Sequence, residues 1–435
     1  MKTYEEQISE LYNRFPMYQQ IGAGAYKPGL ENAECLDHYF GYPHRQFKCI
    51  HVAGTNGKGS TSHLLAAILA CSGYKTGLYT SPHLTDFRER IKINGQMIPR
   101  EQVSAFLTQH ADVAFSFRPS FFELTTFMAF DYFASQQIDV AVIEVGLGGR
   151  LDTTNVITPE LSIITNISLD HVQMLGHDLP SIAREKAGII KPHIPVVIGE
   201  ATTETRNVFD EKARSCNAPI FYAEEKKRFT QAEALHQGWL YKNTLAGDIW
   251  GELGGEYQKK NTATVLTAIE ILRERGFAIT DEAIKEGFAH VTTLTGLQGR
   301  WQIVSTSPTV ICDTGHNTGG MQYIARQLNE TPHKELRIVI GMVNDKDISG
   351  VIAMLPTQAT YYFTQASVAR AMKAEEIARI GAEHGLKGTT HTTVAEAYQA
   401  ARADSNSDDV IFVGGSTFVV ADFLKDCVEK KPAES

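Results

Sequence analysis

The stretch I-H-V-A-G-T-N-G-K-G-S-T-S, from Ile50 to Ser62, constrains this chain more than any other. A short apolar run, Phe47 to Val52, reads as a strand that breaks into a loop carrying Gly54, Gly57 and Gly59. A helix is expected from about Ser60 through Ala70. Glycines let backbone N–H groups turn inward around phosphate oxygens, the helix N-terminus adds the positive end of its dipole, and the Lys58 ammonium adds a full charge. Ser60 supplies the natural hydroxyl for a phosphate-bound Mg²⁺. The spacing departs from the common phosphate loop, because Gly54 lies only three residues before Gly57 and Gly59 follows Lys58. An ordinary tight turn can share such a pattern. The strand before it and the apolar helix after it favour nucleotide binding.

At 435 residues the chain exceeds what one core usually serves, so two domains are expected. Apolar content of 43% and charged content of 21% describe a soluble globular protein. The formal charge, 41 − 50 = −9, argues against a nucleic-acid-binding surface. The cysteines Cys35, Cys49, Cys71, Cys216, Cys312 and Cys427 are scattered without metal-ligand spacing, which implies a reducing compartment and no disulfide framework. Met1 to Arg14 is amphipathic and contains Glu5 and Glu6, unlike a secretory signal. No apolar run approaches membrane-spanning length. A cytoplasmic protein with neither membrane nor nucleic-acid partner is expected.

Residues 4–20 and Leu30 to Phe40 read as helices ahead of the loop. After it, the strand Lys75 to Tyr79 runs into Thr80-Ser81-Pro82-His83, at a strand's carboxyl end, where α/β sheets place their ligands. Arg88 to Gly95 is expected to form a loop and short strand, and Glu101 to Val113 and Phe121 to Gln136 two helices. Ile138 to Val145 is a near-continuous apolar run of the kind buried on both faces of a parallel sheet, yet it carries Glu144. A buried carboxylate is costly unless it meets a cation, and in a phosphate-loop protein that cation is the nucleotide's Mg²⁺. The alternative is a glutamate capping the Gly-Leu-Gly-Gly turn that follows. The strand Leu161 to Thr165 leads to Asp170-His171. A lone His is more often structural, but this one stands at a strand's carboxyl end beside Asp170.

Leu179 to Gly188 reads as a helix with Pro in its first turn, on which Lys186 would ordinarily be solvated. A strand is expected over Pro195 to Ile198. From 200 to 255 the pattern weakens, apart from a strand-like run at Gly238 to Tyr241. Gly254 to Asn261 then opens a helix through Leu272, and Thr292 to Gly299 reads as an interdomain linker. Beyond it, strands are expected at Thr309 to Asp313, Leu336 to Ile340, Ala359 to Phe363 and Asp409 to Val413. A loop Thr314-Gly-His316-Asn317 precedes a helix from about Gly320, and the tail Lys430 to Ser435 is expected to fray. The fold class is therefore α/β: an N-terminal phosphate-loop domain, 1–295, with a mostly parallel sheet flanked by helices, plus a smaller C-terminal Rossmann-like domain, 296–435.

Laid out in this way, the chain resembles the folylpolyglutamate synthase/dihydrofolate synthases, within the Mur-ligase-like family of ATP-dependent amide ligases. The resemblance runs over nearly the whole length. It is carried by H-V-A-G-T-N-G-K-G-S at 51–60, Y-T-S-P-H-L at 79–84, F-F-E at 121–123 and E-V-G-L-G-G-R-L-D-T-T-N at 144–155. S-L-D-H at 168–171, E-K-A-G-I at 185–189 and D-T-G-H-N at 313–317 complete it. The unusual loop spacing is this family's own variant. The resemblance implies that Gly54, Thr55, Asn56, Gly57, Lys58, Gly59 and Ser60 hold ATP, with Asn261, Arg300 and Asp313 reaching the nucleotide from the far side. It implies that Ser60, Ser81, Glu144 and His171 bind Mg²⁺, two ions in all, and that Lys186 is carbamylated and so turned from a cation into an anion. Phe122 and Asp152 fall where bifunctional members hold the pterin, and Lys58, Lys186, Arg300 and His316 are the residues implied for catalysis. The family's D-G-A-H-N-P reads D-T-G-H-N-T here, which leaves Asp313 and His316 in place but changes their loop.

The implied activity joins L-glutamate to dihydropteroate or a reduced folate through an acyl phosphate, with ATP, Mg²⁺ and these small molecules as partners of a monomer. Two other readings use fewer of the residues. A phosphate-loop NTPase that drives a conformational switch has no use for Phe122, Asp152 or the Asp313/His316 loop. A Mur-type ligase acting on a peptidoglycan precursor leaves F-F-E and G-R-L-D-T-T-N unexplained.

Overall fold

Residues 2–15, 29–110, 117, 119–344 and 347–428 are described here, from a computed structural model. Eight strands form the first sheet: β1 (Lys48–Ala53), β2 (Thr76–Tyr79), β3 (Ile91–Ile93), β4 (Gln96–Met97), β5 (Val140–Glu144), β6 (Leu161–Ile164), β7 (Val196–Ile198) and β8 (Ile220–Tyr222). Their order is β4-β3-β2-β5-β1-β6-β7-β8, parallel from β2 to β8, with β3 and β4 antiparallel at one edge. Alternate residues of β1 and β5 feed two apolar layers. Ile50, Val52, Val140 and Val142 pack with the helices Lys58–Cys71 and Gln258–Glu274. Cys49, Ala141 and Ile143 pack with Phe127, Phe130 and Phe133 of the helix Phe121–Ser135. Each of those buried phenylalanines contributes about 1.5–3 kcal/mol by leaving water.

That strand order has a functional consequence. β2, β5, β1 and β6 are consecutive neighbours and run in the same direction, so their carboxyl ends form one edge. From this edge emerge the turn with Ser81, the side chain of Glu144, the glycine loop after Ala53, and the segment leading to Asp170 and His171.

The second sheet takes the order β12-β13-β17-β14-β15-β16, from β12 (Gln302–Thr306), β13 (Thr309–Asp313), β14 (Leu336–Ile340), β15 (Thr360–Phe363), β16 (Lys387–Thr390) and β17 (Val410–Gly414). All pairs are parallel except β12 with β13. Ile311, Ile338 and Phe412 face one apolar layer, and Cys312, Val339 and Val413 the other. The expected pair of α/β units is present.

Several local expectations are corrected. The weak region 200–255 contains a helix, Thr203–Ser215, the strand β8, and a small antiparallel sheet of β9 (Gln231–Leu235), β10 (Gly238–Thr244) and β11 (Gly247–Gly251). The helix buries only Thr205, Phe209 and Ala213, a stripe too thin to stand out in its polar sequence. The linker assigned to 292–299 overlaps a short helix, Val291–Thr295, that packs Val291 into the first core. β12 and β16 also went unanticipated: no residue of β12 is fully buried and every residue of β16 is exposed, so neither alternates in hydrophobicity. The ends of the expected helices 4–20 and 101–113, and the tail from Lys430, lie outside the described residues. No helix among the described residues is long and apolar enough to cross a membrane.

Candidate active site

The glycine loop is shaped by close approach. Gly54 has φ +144°, and a Cβ there would lie 1.8 Å from Thr165 Oγ1; Gly57 has φ +85°, and its Cβ would lie 2.3 Å from Asn261 Oδ1. Only glycine tolerates both restrictions. Gly57 then caps the helix Lys58–Cys71 with no side-chain hydrogen bond, so the first-turn N–H groups keep their capacity to bind an anion. Lys58 Nζ folds back to donate to the carbonyls of Gly54 and Thr55, each at 3.1 Å. Ser60 is buried and its Oγ accepts from Gln258 Nε2 at 3.1 Å, while Asn261 Nδ2 donates to Gln258 Oε1 at 2.8 Å. Gln258 thus links the loop's serine to Asn261, a connection that no sequence motif announced.

Glu144 emerges beside this loop, buried, and its Oε2 accepts from Ser81 N–H at 3.2 Å. Burial raises its pKa, with the positive charge of Lys58 the main opposing influence. Lys186 comes from the helix Leu179–Ala187 and is buried, not solvated, because that helix turns it beneath the loop, where Nζ donates to Gly54 O at 2.8 Å. Burial, reinforced by the nearby Lys58 charge, lowers its pKa to about 7. A substantial neutral fraction therefore exists near neutrality.

The second domain reaches the same edge through Arg300 and the loop 313–317. Arg300 Nη2 lies 3.2 Å from where a Cβ on Gly59 would stand; its Nη1 donates to Gly299 O at 3.1 Å and to Thr314 Oγ1. Asp313 is fully engaged: Oδ2 accepts from Tyr257 O–H at 2.5 Å and Trp301 N–H at 2.7 Å, and Oδ1 from Gly315 N–H at 2.7 Å. Its carboxylate holds the loop rather than standing open. His316 Nδ1 donates to Thr314 O at 2.9 Å, and its Nε2 lies 3.4 Å from Asp170 Oδ2. His171 has φ 50° at the start of a short helix, with Nε2 3.8 Å from Asp170 Oδ1. His171 and His316 therefore flank one carboxylate, Asp170, whose importance the sequence reading did not assign.

Phe122 and Asp152 meet around a third segment. A Cβ on Gly146 would lie 2.4 Å from Phe122 Cζ, and Asp152 Oδ2 accepts from the next residue's N–H, Leu147, at 2.8 Å. Asp152 Oδ1 accepts from Thr154 N–H at 3.0 Å and Thr154 Oγ1 at 2.5 Å, so this carboxylate caps the turn Thr153–Val156. Between the domains, a cleft is lined by Gly59, Ser81, Glu144, Arg300 and Thr417, together with buried Lys92 and His63.

These features suit a Mg²⁺–nucleotide. The uncapped helix terminus, Lys58 and Arg300 present positive charge to phosphate, and buried Glu144 is a carboxylate whose charge a divalent cation would stabilise. Among the described residues no three His, Cys, Asp or Glu side chains converge as a metal cluster. Mg²⁺ characteristically takes one or two carboxylates and completes its shell with phosphate oxygens, hydroxyls and water, so a preformed cage is not required.

The fold and this edge define a two-domain phosphate-loop protein with a cleft shared between its domains. Residues 52–268 match the Mur ligase middle domain, and 299–417 the Mur ligase glutamate ligase domain. The chain is 35% identical over 384 residues to the dihydrofolate synthase/folylpolyglutamate synthase of Escherichia coli K12, covering 86% of this chain and 85% of that one. Its structure resembles E. coli FolC in complex with DHPP and ADP, with TM-score 0.84, 31% identity and coverage of 98% and 97% of the two chains. A bifunctional folylpolyglutamate synthase/dihydrofolate synthase with Mn, AMPPNP and L-glutamate bound gives TM-score 0.81, 30% identity and 98% coverage of both chains. The chain belongs to the Mur ligase family, among its dihydrofolate synthase/folylpolyglutamate synthases.

Proposed function

We propose that the cleft joins L-glutamate to the carboxylate of dihydropteroate, and to the terminal glutamate of a reduced folate, with cleavage of ATP to ADP and phosphate. A carboxylate oxygen of the acceptor attacks the γ-phosphorus of ATP, ADP departs, and an acyl phosphate forms. The uncharged amine of L-glutamate then attacks the acyl carbon, and phosphate leaves with the oxygen that had joined it to the acyl group. A carboxylate needs no general base to attack, so the site needs positive charge and exclusion of water.

The residue roles in this reading draw on both placement and the family resemblance. The loop Gly54, Thr55, Asn56, Gly57, Lys58, Gly59 and Ser60 holds the ATP phosphates, and Lys58 and Arg300 bear the charge that develops on the transferred phosphoryl group. Asn261 packs on Gly57 at the loop's back, and Asp313 orients Tyr257 and the loop 313–317 around the nucleotide. Ser60, Ser81, Glu144 and His171 would hold Mg²⁺, two ions in all, which supplies Lewis-acid polarisation of the phosphoryl oxygens. Lys186 is carbamylated: a neutral amine reacts with CO₂, and the low pKa of this buried lysine provides it. Phe122 offers an aromatic face to the pterin, beside the turn capped by Asp152. His316, with Nδ1 committed to Thr314 O and Nε2 facing Asp170, is the residue this reading assigns to the amine step. We also read a monomer of the cytoplasm, divided at 295/296.

The approach of second-domain Arg300 to first-domain Gly59 carries this reading, because it puts a cation from each domain at one phosphate loop. The test is phosphate release from ATP–Mg²⁺ with L-glutamate, offering 7,8-dihydropteroate and tetrahydrofolate separately. Turnover with both is expected. Turnover with tetrahydrofolate alone removes the roles given to Phe122 and Asp152, and ATP hydrolysis indifferent to glutamate and both acceptors removes the ligase.

A further inference from the structure

One side chain joins the two domains at the phosphate loop itself. Asn317 Oδ1 accepts from Gly320 N–H at 2.9 Å, capping the helix Thr318–Glu330, and this fixes which end of its amide is the oxygen. The same Oδ1 accepts from Asn56 Nδ2 at 3.1 Å. Asn317 Nδ2 donates in return to Asn56 Oδ1 at 3.1 Å and to Asp170 Oδ2 at 3.0 Å. Asn56 is rigidly mounted on its own domain: its N–H donates to Asn166 Oδ1 at 2.9 Å, and its carbonyl accepts from Thr165 Oγ1 at 2.5 Å. The backbones come close enough for this only because residue 319 is glycine. A Cβ there would lie 2.4 Å from Ser168 Oγ and 3.2 Å from Asn56 Nδ2.

We propose that Asn317 is a positioning residue that locks the second domain onto the phosphate loop through the reciprocal amide pair with Asn56 and the bond to Asp170. Asp313 pins the start of the loop 313–317 to Tyr257, and Asn317 pins its end to Asn56 and Asp170. His316 lies between the two pins and is thereby set 3.4 Å from Asp170. The phosphoryl-transfer loop and the segment facing the acyl phosphate then hold one geometry while the domains are together. This proposal rests on the ligase reading for its effect on turnover, and on geometry alone for its effect on the loop.

Three variants separate the clasp from the helix cap. Asn317→Ser keeps a capping hydroxyl but is too short to reach Asn56 or Asp170. Asn56→Ala removes the other half of the pair, and the double variant closes a cycle. Each single variant is expected to lower kcat for amide formation about 10–100-fold, and in Asn317→Ser, whose residue lies outside the phosphate loop, KM for ATP should change less than about threefold. The double variant should fall no further than the poorer single one, and phosphate released per amide bond should rise. Full activity in Asn317→Ser, or losses that multiply in the double variant, overturns the clasp; an inactive wild type overturns the ligase reading instead. Hydrogen exchange decides the geometry independently of turnover. Amides of residues 54–60 should exchange faster in Asn317→Ser than in wild type, and identical exchange overturns the proposal.

Discussion

The phosphate loop and the loop 313–317 face each other across the cleft, yet they are built in opposite ways. The first is made by its own chain: positive φ at Gly54 and Gly57, a helix that starts at Lys58, and a lysine that folds back onto the carbonyls it has just passed. The second is made largely by distant partners. Asp313 is held in part by Tyr257, and Asn317 by Asn56 and Asp170, all from the first domain. On the proposed reading, local geometry secures the binding of phosphate, whereas domain contact secures the arrangement in which an acyl phosphate is met by an amine.

The largest effect that probes this contrast falls on the locally built side. Lys58→Ala should lower kcat by about 10³-fold or more, because it removes a preorganised cation from the developing phosphoryl charge. Glu144→Ala should cost about 10²–10³-fold and make activity depend more steeply on Mg²⁺ concentration. Neither change breaks an apolar core, so circular dichroism should show both variants folded. Normal turnover in either would dissolve the assignment of this edge to metal and phosphate.

Lys186 comes next. Its folded pKa of about 7 lies below the unfolded value, so between those values the unfolded chain binds more protons and stability rises with pH. Carbamate formation should follow the same direction, and a ¹³C-bicarbonate signal on the protein should grow as pH rises through about 7. Lys186→Ala should lose activity and recover part of it with small carboxylic acids. A fully active native protein with no such signal would contradict the carbamate.

A smaller effect sharpens the other side of the comparison. In Asp313→Asn, an amide NH₂ must face donors at Tyr257, Trp301 or Gly315. That mismatch should destabilise the second domain by about 1–3 kcal/mol, with only a modest loss of kcat. If kcat collapsed without any loss of stability, Asp313 would instead belong to the nucleotide site.

The same contrast explains what was legible in the sequence. Residues 54–60, Ser81, Glu144 and the segment to His171 stand at the carboxyl ends of consecutive strands, where apolar runs and glycines announce them. Lys186 looked like a surface helix lysine, because nothing within its helix reveals that its face turns under Gly54. Gln258 and Tyr257 carry no local signature, and Asp170 and Asn317 stand inside S-L-D-H and D-T-G-H-N without anything local to say what they bind. Their roles arise only when segments far apart in the chain are brought within hydrogen-bond distance. The helix Thr203–Ser215 and the exposed strand β16 were missed for a simpler reason, since neither buries enough apolar surface to leave a pattern.

The acyl phosphate is the centre of this account, and oxygen transfer tests it most directly. Acceptor labelled with ¹⁸O in its reacting carboxylate should be incubated with ATP, Mg²⁺ and L-glutamate, and the released phosphate examined by mass spectrometry. The account predicts one ¹⁸O in each phosphate formed with an amide bond. Unlabelled phosphate accompanying amide formation would contradict it.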